Sequence, residues 1–424
     1  MSPSGNALLI STLFAACRLI STLFVEAPSG PGVDSAAADS AVGRDAVGNA
    51  SCGLALAREA GVRAEGGTGR NFVVSPLAIH AALAMVAAGA RGDTRSELLG
   101  FLGSASLDGL HRAAATELVG RLNGIAQTSF ACGVWVDQRL ALRPEFTITA
   151  ASRYGATAES LDFVSGAEQA RQRVNAFVAD ATNKLIRDVL PPSSVDSSTA
   201  VVLANALYFK GAWAQPFDVS TVPFHIPGGT TVRVPSMTTS ESQHIAVYPG
   251  FRALKLPYKN DVQQQAEFYM LILLPDRDTV SLADLYDKAV STPEFIMTHT
   301  PAGKVPVGRF MVPNFKFTYE FEASSDMRKL GVNRAFHGGD FSGMVSSRAG
   351  GLTITGVYHK ASIEVDEVGT VAAAATAVVI GRTTAPRPRH LVDFVADRPF
   401  LFAVVEEMTD AVLFLGHVVD PLVC

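Results

Sequence analysis

Four short apolar runs set the first limit on what this chain can fold into. Val201 to Phe209, Phe268 to Leu274, Phe400 to Val405 and Val412 to Val419 are nearly unbroken in hydrophobic residues. Each is too short to cross a bilayer as a helix. Their β-branched and aromatic content, without polar alternation, is that of strands buried on both faces. Helical patterns lie mostly before them. Ser75 and Pro76 open a long Ala/Leu/Val segment ending near Gly89, with Ser75 suited to the N-cap and Pro76 to the first helical position. Arg171 to Ile186 carries Val174, Phe177 and Ala181 at helical spacing. Ser325 to Leu330, followed by Gly331, reads as a short helix with a glycine stop. Helices early and strands late predict an α+β fold. No long linker divides Asn71 to Pro421, so the expectation is one domain over 49–424 behind a leader, 1–48.

Composition narrows the function. Across 424 residues, 48% are hydrophobic, ample for a large core. The net charge is -5 with no long run of one sign, which argues against nucleic acid as a partner. The chain has no Gly-x-Ser-x-Gly elbow, no His-Glu-x-x-His, no phosphate-binding Gly-Lys-Ser/Thr loop and no Gly-x-Gly-x-x-Gly after a strand. Its histidines are scattered away from metal-ligand spacing. The expectation is therefore no enzyme, no metal and no cofactor. Cys17, Cys52, Cys132 and Cys424 fit neither a zinc site nor a disulfide framework, and read as free or buried thiols. Leu9 to Phe14 is repeated as Leu19 to Phe24 with Arg18 between, too short and interrupted for a membrane span. It reads either as a secretory signal cut after Val25-Glu-Ala27, or as a disordered leader that leaves the protein cytoplasmic. Asn49-Ala-Ser51 is a glycosylation sequon consistent with the extracellular alternative.

The stretch from Glu364 to Ala385 holds the most information about function. By composition it opens an Ala-rich helix or is a low-complexity linker. Alternation offers a third reading. Thr370, Ala372, Ala374, Thr376, Val378 and Ile380 are small, then larger and apolar, and on a strand they share one face. Such a segment can stand as a loop and still be accepted between two existing strands.

This stretch, Glu367-x-Gly369-Thr370-x-Ala372-Ala373-Ala374-Ala375-Thr376-Ala377, resembles the hinge of the reactive-centre loop of serpins, plant serpins most of all. Its flanks are similar to that family as well, in the same order. They are Asn71 to Leu77, Asn205 to Trp213, Asp340 to Met344, His359 to Ala361, Arg398 to Phe402 and Leu413 to Gly416. The resemblance implies a single-domain fold with a large central, mostly antiparallel sheet, further sheets, surrounding helices and an exposed loop at about 367–391. It implies a monomeric inhibitor whose partner is a target serine or cysteine protease, trapped when the cleaved loop inserts as a strand. A non-inhibitory serpin acting as carrier or chaperone is the alternative. The resemblance makes Glu367, Gly369, Thr370 and Ala372 to Ala375 the hinge. It puts the reactive bond at Thr383–Thr384, or at Arg382–Thr383 for a loop one residue shorter. Ser75, Asn205 and His359 match a polar cluster that controls opening of the sheet, and Trp213 matches a residue where the loop enters. Val368 and Val371 depart from the glutamates that many inhibitory members carry.

Overall fold

In the computed structural model, the described residues are 51–61, 70–112, 125, 127–259, 266–277, 279–292, 294–346, 351–369 and 390–423. The apolar runs become the middles of two sheets. The first run is β4 (Val201–Phe209), which lies in a five-stranded sheet. Its order is β12 (Phe315–Glu322), β13 (Ile354–Val365), β4, β2 (Thr128–Asp137), β3 (Thr157–Leu161). The others are β9 (Phe268–Pro275), β15 (Phe400–Glu406) and β16 (Ala411–Val418), in a seven-stranded sheet. Its order is β1 (Phe72–Val74), β16, β15, β9, β8 (Phe251–Pro257), β7 (Gln243–Tyr248), β10 (Lys304–Val305). A four-stranded sheet runs β14 (Val392–Val395), β11 (Val307–Pro313), β6 (Thr231–Thr238), β5 (Asp218–His225).

Every residue of β9, β15 and β16 is buried, as the unbroken apolar pattern requires. Each Val, Leu, Ile or Phe so enclosed contributes about 1.5–3 kcal/mol relative to exposure. The helix Pro76–Gly89 is buried at all positions but Ala88 and lies between β16 on one side and β2 and β4 on the other. Its apolar character on every side is that of an interior helix. Ser75 caps it as expected, its hydroxyl accepting the Ala78 N–H at 3.1 Å. A short helix, Ser324–Lys329, ends before Gly331 at φ 99°. Cys52 and Cys132 are buried free thiols, pushed up to about 12 by burial; Cys17 and Cys424 lie outside the described residues.

One expectation is corrected, and two are made more specific. The helix expected over Arg171 to Ile186 runs Ala167–Ala181. It stops because Thr182 turns its hydroxyl onto the Val178 carbonyl at 2.7 Å, and Asn183 and Lys184 then adopt left-handed backbone. Strands are not confined to the second half, since β1, β2 and β3 lie among the early helices. The seven-stranded sheet is antiparallel throughout, but the five-stranded sheet is mixed. Its β12/β13 and β2/β4 ladders are antiparallel, whereas β13/β4 and β2/β3 are parallel. β4 and β13 are far apart in sequence, with strands of both other sheets between them, so no hairpin imposes antiparallel pairing.

Candidate functional site

The site is built on the parallel seam between β4 and β13. Pairing there runs from Ile354↔Val201 to Ser362↔Tyr208 and stops. Ile363, Glu364 and Val365 pair only with β12, so the seam is already parted where β13 leaves the sheet.

In the middle of the seam, His359 and Asn205 stand opposite one another. His359 Nε2 accepts the Ser75 backbone N–H at 2.9 Å, which places the ring proton on Nδ1, and Nδ1 donates to Asn205 Oδ1 at 2.6 Å. Ser75, Asn205 and His359 are all essentially without exposure. Burial drives the His359 imidazole down to about 3, so it is neutral at physiological pH. The hydrogen bond crosses the seam, and Ser75 ties it to the N-terminus of the interior helix. Parting the strands there breaks a buried hydrogen bond and leaves unpaired groups, a cost of about 1–3 kcal/mol. The three residues singled out in the sequence are thus brought into one contact chain.

Trp213 closes the top of the seam. Its Nε1–H donates to the Asp366 carbonyl at 2.7 Å and its backbone N–H to the Val368 carbonyl at 2.9 Å. Its ring stacks on Tyr258 at 4.4 Å. The Phe217 N–H donates to the Glu367 carbonyl at 3.0 Å, and Asn314 Nδ2 donates to Glu367 Oε2 at 3.0 Å. Residues 366–369 form a turn in which Asp366 Oδ1 accepts the N–H groups of Val368 and Gly369 at 2.9 and 3.0 Å. Burial raises the Asp366 carboxyl above its ordinary value. Gly369 has φ 120°, and a Cβ there would lie 2.4 Å from Ala212 Cα and from the Gly211 carbonyl. Glycine is therefore required, for backbone angle and for space.

Thr370, Ala372, Ala373, Ala374, Ala375, Arg382, Thr383 and Thr384 lie outside the described residues, which resume at His390 before β14. Asn314, Asp366, Phe217 and Tyr258 were not found in the sequence. Asp366 had a local signal, an Asx turn ending in glycine; Asn314 had none. Among the described residues no group of three or more His, Cys, Asp or Glu is placed to hold a metal ion, and no helix is long and apolar enough to cross a membrane.

The family model described as "Serpin (serine protease inhibitor)" matches residues 48–421. The chain belongs to the serpin family. Members are in general protease inhibitors rather than enzymes. Putative serpin-Z12 of Oryza sativa subsp. japonica is 64% identical, over 87% of this chain and 90% of its own. Serpin-ZX of Arabidopsis thaliana is 41% identical, over 83% and 92%. The structure of Arabidopsis AtSerpin1 in its native stressed conformation matches with a TM-score of 0.82 at 37% identity, covering 90% of this chain and 99% of that one. Human thyroxine-binding globulin shares the fold, with a TM-score of 0.77 at 24% identity over 90% and 99%.

One expectation follows from the turn at Gly369 in this serpin. Gly369→Ala should lower the stability of the intact protein by about 1–3 kcal/mol from the backbone angle alone, read as an earlier urea midpoint. An unchanged midpoint would contradict the contact at Ala212.

Proposed function

We propose that this serpin inhibits serine-type endopeptidases, and papain-like cysteine proteases in the same manner, by inserting its cleaved loop between β13 and β4. The observation that carries this is the parallel seam, parted at the end where β13 leaves the sheet. A strand that turns back from β13 and enters there runs antiparallel to β13, and antiparallel to β4 as well. Insertion therefore exchanges one parallel ladder for two antiparallel ones, the more stable pairing, and buries apolar side chains. The insertion of serpin loops into a sheet is itself a standard example of strand addition and released strain. The stretch after Gly369 supports the same reading, since small residues lead and the sheet must open around them first.

The chemistry belongs to the protease. Its nucleophilic oxygen or sulfur attacks the bait carbonyl, the peptide C–N bond breaks, and the new amino terminus departs with a proton, leaving an acyl-enzyme. The bait is Thr383–Thr384, or Arg382–Thr383 in the shorter register. Insertion then carries the acylated protease away before water can release it. Trp213, Phe217 and Asn314 hold the base of the loop on the closed sheet, and the His359–Asn205 bond delays opening until the loop is cut.

A panel of trypsin-like and papain-like proteases, read on denaturing gels, tests this. At least one should give a covalent complex, and the cut protein should resist heat far better than the intact one. Arg382→Ala should slow trapping by trypsin-like enzymes tenfold or more if Arg382 fills their specificity pocket, and leave it unchanged if Thr383 does. Cleavage by every protease without any complex would sink the inhibitory reading and favour a carrier role.

A further inference from the structure

The connection from the helix Ala167–Ala181 to β4 packs on the outer face of the five-stranded sheet. Asn175 grips it from the helix in both directions: Nδ2 donates to the Leu190 carbonyl at 3.0 Å and Oδ1 accepts the Leu190 N–H at 2.8 Å. Ile186, Val189, Leu190 and Val195 of the connection are buried with Val202, Ala204 and Ala206 of β4. Its backbone is held in a demanding shape. Asn183, Lys184, Asp188 and Ser193 have φ of 50°, 63°, 53° and 62°, which non-glycine residues keep only where surrounding contacts hold them.

Besides Thr355 at its lower end, two side chains of β13 reach across to it. The Tyr358 hydroxyl donates to the Ser194 carbonyl at 2.9 Å. Lys360 Nζ donates to the Asp188 carbonyl at 3.4 Å while paired with Glu320 at 2.6 Å. In the parallel ladder Tyr358 and Lys360 stand opposite Ala204 and Ala206, with His359 between them turned to the other face. The connection is thus fixed to β4 by the chain itself and by its apolar side chains, and to β13 by three hydrogen bonds, the third from the Ala200 N–H to Thr355 Oγ1 at 3.0 Å at the lower end of the seam. It bridges the seam from the face opposite Ser75.

We infer that this connection is a latch on the seam and that Tyr358 is the positioning residue that holds it. The hydroxyl must release Ser194 before β13 and β4 can separate, so the bond sets how readily the sheet accepts a strand. This rests on the loop-insertion reading above. The Tyr358 ring also packs against the buried residues of the connection, so phenylalanine keeps the packing and loses only the bond.

A synthetic peptide with the sequence of residues 369–380 is offered to the full-length protein, and its uptake is followed on native gels. Tyr358→Phe should take it up about fivefold faster than wild type, the effect of removing one hydrogen bond from the closed state. Its stoichiometry of inhibition toward a trapped protease should fall, because insertion competes better with hydrolysis. A bond that merely supported the fold would instead speed global unfolding in urea and leave uptake as it was, and that result overturns the latch. Equal or slower uptake by the variant also overturns it while leaving loop insertion standing. If wild type traps protease but takes up no peptide, an unchanged stoichiometry in Tyr358→Phe overturns it. A wild type that neither accepts peptide nor traps any protease removes both readings.

Discussion

Between pH 7 and pH 5 the native protein should lose about 5–6 kcal/mol of stability, read as a falling urea midpoint. Three histidines cause this. His80, His359 and His417 are buried at 0%, 1% and 0% exposure. Burial lowers them from 6.5 to about 4, about 3 and about 4 respectively. A folded-state value below the unfolded one means that the unfolded chain binds the extra protons. The stabilisation is complete above the unfolded value near 6.5 and is lost as pH falls from there towards 4 and 3. By pH 5 each histidine has given up about 2 kcal/mol. Backbone carbonyls, Leu102 beside His80 and Arg70 beside His417, offset the burial only in part. His359 has only neutral partners, Ser75 and Asn205, and His417 sits between the Tyr286 hydroxyl and the Arg70 carbonyl. The slope near pH 5 should correspond to about three protons. His359→Gln can still accept from Ser75 and donate to Asn205, and should reduce the slope by about one proton. A flat profile from pH 7 to pH 5, or an unchanged slope in the variant, would show that these rings admit water and titrate normally.

The same histidine shows what the sequence could and could not say. Ser75, Asn205 and His359 are separated by more than a hundred residues, and each alone reads as a core polar residue satisfied locally. Only the order of the surrounding motifs joined them. The strands were legible because an unbroken apolar run has few other uses, and the runs match the observed strands within a residue or so at each end. Strand neighbours were not legible. Alternation with period two says which face a residue takes and nothing about which strand lies beside it, so the parallel seam had no sequence signal. Asn314 was hidden for a similar reason: its partner Glu367 is 53 residues away, and asparagine in a connection between strands is common. The overshoot to Ile186 rested on its apolar character alone, since it lies five residues after Ala181, off the helical spacing. It is indeed buried, but within the latch rather than on the helix.

If the cleaved loop inserts as proposed, Thr370→Arg should turn the protein from an inhibitor into a substrate, with binding and cleavage intact and trapping lost. The face each residue takes decides this. Along β13 the odd positions from Val357 to Val365 are buried and the even ones partly exposed, so the sheet has one face to the core. In the loop the set Thr370, Ala372, Ala374, Thr376, Val378 and Ile380 carries the larger apolar residues toward its end, and on insertion this set turns to the core. An arginine at position 370 would bring an unpaired charge into the sheet interior first, before any later residue could pair, at a cost of several kcal/mol. Insertion races hydrolysis of the acyl-enzyme, so the outcome is steep in that cost. About 1.4 kcal/mol on the insertion barrier slows it tenfold. The stoichiometry of inhibition should rise by at least tenfold. Ala373→Arg, on the opposite face, meets the side of the sheet that carries Lys360, which keeps its ammonium paired with Glu320 at 2.6 Å. It should do much less harm. Equal damage from both variants would mean that the two faces are wrongly assigned, and equal harmlessness would mean that the loop does not enter the sheet.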